Sequence, residues 1–190
     1  MDAIFTLPYS EYEAINEIKK KLKGGYSFYV PTSRQQKGID FIIHNSQNNT
    51  FLRFQVKSSR SYVHEPGLKK RGGRIYQNNF WFNSFFERYK DGNADYYILF
   101  GLYPEYKIGK NIRSKKVFWK NLILCFSEQE MFECLRTIKL TKKNKMDPFF
   151  GVSFDYVDEI FATRGFQGNP NLSKYLLKNK LNELQNKLTL

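Results

Sequence analysis

Alternating and continuous apolar runs divide the chain into a helix, a hairpin, and then further strands and helices. Tyr9 to Leu22 carries Ala14, Ile15, Ile18 and Leu22 at helical spacing, which predicts an amphipathic helix closed by Gly24-Gly25. Ser10, with Glu13 three residues on, has the form of a capping box at its start. From Phe51 to Lys57 the period changes to two. Leu52, Phe54 and Val56 fall on one side and Arg53, Gln55 and Lys57 on the other, as in a strand with one face on a core. Ile39, Phe41 and Ile43 alternate in the same way against Asp40 and Ile42. The turn-rich His44 to Asn49 between the two segments predicts an antiparallel hairpin. Pairing about that turn carries Asp40 toward Gln55 and Lys57 and sets the three polar side chains on one surface.

The later pattern is richer in strands. Asn79 to Asn83 is aromatic and reads as a strand or as the approach to the helix-like Ser84 to Tyr89. Ala94 to Tyr103 is continuously apolar, which predicts a central strand covered on both faces and ended by Pro104. Asn121 to Phe126 reads as a second, short buried strand, and Ser127 with Glu130 as a capping box opening a helix through about Ile138. Phe149 to Phe154 predicts an added strand, Tyr156 to Ala162 a short helix, and Leu172 to Leu188 an amphipathic helix. Its stripe of Leu176, Leu177, Leu181, Leu184 and Leu188 packs on a core or pairs two subunits. A length of 190 residues suits one domain, with a core over about 10–138 and a C-terminal extension over about 139–190.

Asp40 preceded by Gly38-Ile39, the following Gln55-Val56-Lys57, and a glutamate-bearing helix upstream together resemble the PD-(D/E)XK nuclease superfamily in its Gln-x-Lys variant. The resemblance spans roughly Ser10 to Ser59. It implies an α/β (α+β) chain with a restriction-endonuclease-like core: a mixed four- to five-stranded sheet flanked by helices, here with a C-terminal helical extension. It also implies phosphodiester hydrolysis with Mg²⁺ or Mn²⁺. Asp40, Gln55, Lys57 and Glu13 are then the catalytic set, with Glu17 as the alternate glutamate. Asp40, the Gln55 carbonyl, the Val56 main-chain carbonyl and Glu13 are the metal ligands. A standalone chain of this size is most similar to a type II restriction endonuclease, a homodimer cutting double-stranded DNA. A Holliday-junction resolvase, a repair nuclease or an inactive nucleic-acid-binding relative are the alternatives. Gln55 departs from the commoner acidic residue, and a neutral carbonyl holds a hard cation more weakly than a carboxylate does.

Charge adds a partner to this picture. Lys and Arg number 31 against 18 Asp and Glu, a formal net charge of +13 with a pI near 9.6, the electrostatic footprint of a protein that meets phosphates. A lysine-rich composition also follows from an AT-rich genome, so the distribution matters more than the total. Lys69, Lys70, Arg71 and Arg74 follow the Lys57 strand, Arg34 and Lys37 precede the Asp40 strand, and Ser58, Ser59 and Arg60 continue from Lys57. All nine are candidate phosphate contacts, while Arg71, Arg74, Asn78, Asn79 and the loop around Arg113 are candidate base readers. Cys125 and Cys134 read as reduced core residues, and His44 and His64 lack partners at zinc-ligand spacing. The chain has no apolar run long enough to span a bilayer and no secretory signal pattern, so a cytoplasmic protein without a membrane partner is expected.

Overall fold

The structure is a computed structural model and describes residues 8–22, 24–32, 38–64, 69–70, 73–74, 76–83, 93–107, 116–136, 149–164 and 168–190. Helix α1 (Tyr9–Lys19) leads into a meander of β1 (Tyr26–Tyr29), β2 (Phe41–Asn45) and β3 (Thr50–Val63). The helix starts one residue before the expected cap. Pro8 is its N-cap and no side chain caps it, because proline has its φ preset and no N–H to leave unpaired. Tyr9 packs edge-on against Phe100 at 6.0 Å and fixes the first turn, so Ser10 lies inside the helix and the Ser10–Glu13 capping box does not form. Gly24 and Gly25, at φ 62° and 75°, supply the left-handed backbone that turns the chain toward β1.

The β2–β3 hairpin pairs from Phe41↔Phe54 to Asn45↔Thr50. Its turn is Ser46 to Asn49, shorter than the sequence suggests because His44 and Asn45 join β2. Side-chain carbonyls hold it, Asn45 Oδ1 accepting from Gln47 N–H at 3.0 Å and Asn48 Oδ1 from Thr50 N–H at 3.1 Å.

β3 belongs to two sheets. Its first half pairs antiparallel with β2 and parallel with β7 (Tyr96–Lys107), which pairs antiparallel with β8 (Lys116–Ser127), giving a mixed five-stranded sheet in the order β1-β2-β3-β7-β8. Its last residues pair with β6 (Asn78–Asn83), followed by β9 (Phe149–Phe154) and β10 (Ile160–Arg164), an antiparallel four-stranded sheet. A two-residue ribbon, β4 (Lys69–Lys70) with β5 (Gly73–Arg74), stands apart. Helices α2 (Glu128–Arg136) and α3 (Leu177–Thr189), with a 3-10 turn at Ser173–Tyr175 before α3, complete the described elements. The fold is thus mixed α+β with a five-stranded mixed sheet. The second sheet is a finding that the sequence pattern does not announce.

Alternation assigns each face. Phe54, Val56, Ile98, Phe100 and Cys125 point to the side carrying α1 and α3, whose Leu177, Leu181, Leu184 and Leu188 are buried there. Each fully buried leucine contributes about 1.5–3 kcal/mol, so the stripe is committed to the core of its own chain. Tyr97, Leu99, Leu124 and Phe126 point to the other side and meet Phe80, Phe150, Val152 and Phe154 of the second sheet, together with Met131 and Cys134 of α2. Phe80 comes so close that a Cβ on Gly101 would lie 2.5 Å from its ring; glycine there lets the two sheets touch. Both cysteines are buried and free.

Side chains hold two helix ends, the first of them as the sequence predicts. Ser127 Oγ accepts from Glu130 N–H at 3.3 Å while Glu130 Oε2 accepts from Ser127 N–H at 2.9 Å, the capping box read from the sequence. At the far end of α3, Asn45 and Asn48 side chains donate to the Leu188 carbonyl at 2.8 and 2.9 Å, tying the helix to the β2–β3 turn. Between them Lys180 bonds Glu130 at 2.5 Å and Glu183 at 2.6 Å, and Tyr96 donates to Glu183 at 2.9 Å.

Two local expectations change. The helix expected at Tyr156 to Ala162 is a turn followed by β10, whose Ile160 and Ala162 are buried and alternate with half-buried Phe161; pairing with β9 overrides the local pattern. β7 does not stop at Pro104 but runs to Lys107, because β3 pairs with it only through Leu102 and the missing N–H then costs no ladder bond on that side. Asn78 to Asn83 is a strand, while Ser84 to Tyr89 lies outside the described residues. No helix among the described residues is long and apolar enough to cross a membrane.

Candidate active site

The hairpin opens at Asp40. Gly38 reaches this point at φ 97°, which an L side chain resists. A Cβ there would also lie 3.0 Å from Asn93 Cβ. Ile39 then carries the chain to Asp40, whose N–H donates to Phe54 O at 2.8 Å. The next donor on β3, Val56 N–H, is taken by the Asp40 side chain, Oδ2 accepting at 2.6 Å. A carboxylate thus replaces the backbone carbonyl where β2 leaves β3. A residue in an antiparallel ladder presents its N–H and C=O to the same neighbour, so the Val56 carbonyl faces the same opening.

Gln55 and Lys57 flank Val56 and alternate to the opposite face from it. Gln55 lies beside Tyr97 in the parallel register and is only 8% exposed, whereas Lys57, beside Leu99, is half-buried. Burial pushes the Asp40 carboxyl above its ordinary pKa, against the opposing pull of the Val56 N–H and of the Lys57 charge. The structure therefore brings Asp40, Gln55, Val56 and Lys57 together, as the hairpin argument expects.

Glu13 does not join them. Its Oε2 accepts from Asn121 Nδ2 at 3.1 Å, on β8 opposite Leu102. That position is on the α1 face and two strands from β3, about 10 Å sideways at ordinary strand spacing. Glu17 is paired with Lys20. The expected glutamate beside Asp40 is corrected by where α1 packs: its apolar stripe seats on Phe54 and Val56, so its carboxylates lie on the wrong face for Gln55 and Lys57.

The expected nucleic-acid contacts divide. Ser59 is structural, its Oγ donating to Trp81 O at 2.6 Å and accepting from Trp81 N–H at 2.9 Å, which clamps β3 to β6. Ser58 is exposed, and Arg60 continues β3 opposite Leu102. Lys69, Lys70 and Arg74 lie on the small ribbon, Lys69 opposite Arg74. Arg34, Lys37, Arg71 and Arg113 lie outside the described residues. Asn78 is buried at 4% exposure. The Asn79 amide is engaged by Tyr62 O, Tyr76 O and Ser153 Oγ, so neither asparagine is a base reader.

One neighbour of the site, Asp95, was not legible beforehand. Asp95 Oδ2 accepts from Arg53 N–H at 2.7 Å and Nε at 3.1 Å, and Oδ1 from Nη2 at 2.8 Å. Carboxylates therefore bracket β3 on both edges, Asp95 from the residue before β7 and Asp40 from the residue before β2. The signal was the polar Asn93-Ala94-Asp95 turn before β7, but its register with Arg53 required the parallel pairing. Asp95 is held by a guanidinium, which leaves Asp40 as the acid of the opening.

A divalent cation fits the donor chemistry here. A carboxylate oxygen, an amide carbonyl and a main-chain carbonyl are hard oxygen ligands, and so few of them suit Mg²⁺, which retains several waters. Among the described residues no group of three His, Cys, Asp or Glu side chains converges, so the set fits one such ion and not a carboxylate-rich pair. Comparison with protein families, with curated proteins and with solved structures finds no match, and the reading of the site rests on its residues and geometry.

Proposed function

We propose that this protein is a Mg²⁺-dependent endonuclease that hydrolyses phosphodiester bonds at the opening between β2 and β3. The observation that carries the reading is the meeting of Asp40, Gln55, the Val56 carbonyl and Lys57 where one strand leaves another, in a chain of net charge +13. Asp40 through Oδ1, the Gln55 carbonyl and the Val56 carbonyl would hold the ion. When bound, Mg²⁺ lowers the pKa of water and neutralises charge on the phosphate. Lys57 sets an ammonium beside the same phosphate, where charge developing in the transition state is stabilised most in a partly desolvated site. Asp40 binds cations only when deprotonated, and its raised proton affinity makes protons compete at acid pH. Duplex DNA is the substrate we assign, cut by two copies related by a two-fold axis.

A second reading is favoured by one observation. Asp40 Oδ2 is already bonded to Val56 N–H and Gln55 is neutral, which suits a protein that binds nucleic acid without cutting it. Incubation of supercoiled plasmid with and without Mg²⁺, beside Asp40→Asn and Lys57→Ala, separates the two. Metal-dependent nicking or linearisation lost in both variants supports the nuclease. Salt-sensitive retention of uncut DNA supports the binder and overturns the nuclease. Discrete fragments identify a restriction-type enzyme, and cutting only of four-way junctions a resolvase.

A further inference from the structure

The outer face of the second sheet carries an aromatic row that stays exposed among the described residues. Tyr62 on β3 and Trp81 on β6 remain 47% and 40% exposed, although their rings lie 4.8 Å apart. Arg164 on β10 extends the row, its guanidinium 5.6 Å from the Trp81 ring centre and 4.3 Å from that of Phe149. Two backbone devices build it. Ile160 and Ala162 point inward, so simple alternation would bury Arg164 as well. The register shift between Ala162 and Arg164 instead turns the arginine outward, as bulges do. Gly151, paired with Trp81 on one side and Arg164 on the other, leaves the gap across which the arginine lies; a Cβ there would be 2.7 Å from Arg164 Cβ.

We propose that this face binds single-stranded nucleic acid, with unpaired bases stacking on Tyr62 and Trp81 and Arg164 meeting the phosphates. Flat exposed rings beside a cation are what splayed bases and their backbone require, and rings pinned in a sheet lose little entropy on binding. Charge chooses the occupant. None of the four strands β3, β6, β9 and β10 contains an aspartate or glutamate, while β10 sets the Arg164 guanidinium against the Trp81 ring on this face. A polyanion meets no carboxylate from these strands, and cation–π contact holds Arg164 in place. The inference goes beyond the nuclease reading and stands without it.

The test is fluorescence anisotropy of the full chain in EDTA with a labelled oligothymidine of about 20 nucleotides, longer than common single-strand site sizes. Trp81→Ala and Tyr62→Ala are expected to weaken binding by about 5- to 100-fold each. Trp81→Phe, which keeps a ring, stays within about threefold of the parent, as does Trp119→Ala, whose indole is on β8. Arg164→Ala lowers the slope of log affinity against log salt by about 0.7, one single-strand phosphate. Asp40→Asn leaves this binding intact while it removes any plasmid cleavage, so the two proposals fail separately. Unchanged affinity in folded Trp81→Ala and Tyr62→Ala overturns the proposal, as does absence of oligonucleotide binding in the parent. Self-association that is lost in Trp81→Ala without any change in oligonucleotide affinity also overturns it and assigns the face to a second copy.

Discussion

Replacing Asp40 separates its bonding role from its charge. Val56 is 8% exposed, and its N–H donates to Asp40 Oδ2 at 2.6 Å. Asp40→Ala leaves that donor without its acceptor, at a cost of about 1–3 kcal/mol. For a chain of this length each kcal/mol moves the melting temperature by about 2–4 °C, so the alanine variant melts about 2–12 °C lower. Asp40→Asn keeps a carbonyl in the same place and melts within about 4 °C of the parent. The asparagine variant also carries a pH signature. Burial raises Asp40's proton affinity over the opposing pulls of Val56 N–H and Lys57, so folding favours the protonated acid. That contribution is complete below the ordinary aspartate value of about 3.9 and is lost as pH rises through the raised folded value. Asparagine is neutral throughout, so the melting difference, variant minus parent, is more positive at neutral pH than at about pH 4. Thermal unfolding followed by circular dichroism across that range measures all three proteins. An alanine variant as stable as the asparagine variant would refute the bonding argument, and a difference that grows on acidification would refute the sign of the shift.

Other substitutions test neighbouring parts of the account. Gln55→Glu sets a second carboxylate beside Asp40. It should lower stability in EDTA by about 2–3 kcal/mol at an effective dielectric near 20, and Mg²⁺ at tenfold its dissociation constant should return about 1.4 kcal/mol; a melting temperature indifferent to Mg²⁺ argues against a cation site. Glu13→Gln is expected to leave plasmid cleavage within about twofold of the parent, since its carboxylate faces Asn121. A loss beyond tenfold would mean that α1 does serve the opening. Lys180→Met strands Glu130 and Glu183 and should cost about 3 kcal/mol in urea unfolding. Burial disfavours charged Glu130, yet the Lys180 and Ser127 bonds hold its pKa below the usual glutamate value. Its contribution is therefore present above that value and lost as pH falls through the lowered one, an acid-limb loss that Lys180→Met should reduce.

The hairpin and its polar triad were legible because alternation and a turn are local: Leu52, Phe54 and Val56 fix one face, and Asn45 to Asn49 fix the register. Buried β7 was legible for the same reason. The placement of Glu13 was not, because a helix sequence defines its apolar stripe but not the strands on which that stripe will sit. Nor was the second sheet, since Phe80, Val152 and Ile160 acquire a common face only through pairings between distant segments. Arg164 was hidden most completely: its period places it inward, and only a register shift in the pairing with β9 turns it out.

β3 is one continuous strand shared by both sheets. Lys57 and Tyr62 are five residues apart along it, about 17 Å at strand rise, and no hinge or linker intervenes. An odd separation puts the two side chains on opposite faces of the strand, so the proposed point of cutting and the proposed point of grip stand back to back. Covalent geometry holds them that way: only inserting residues into β3, not altering a loop, would change their relation, and a single inserted residue would turn both toward one face.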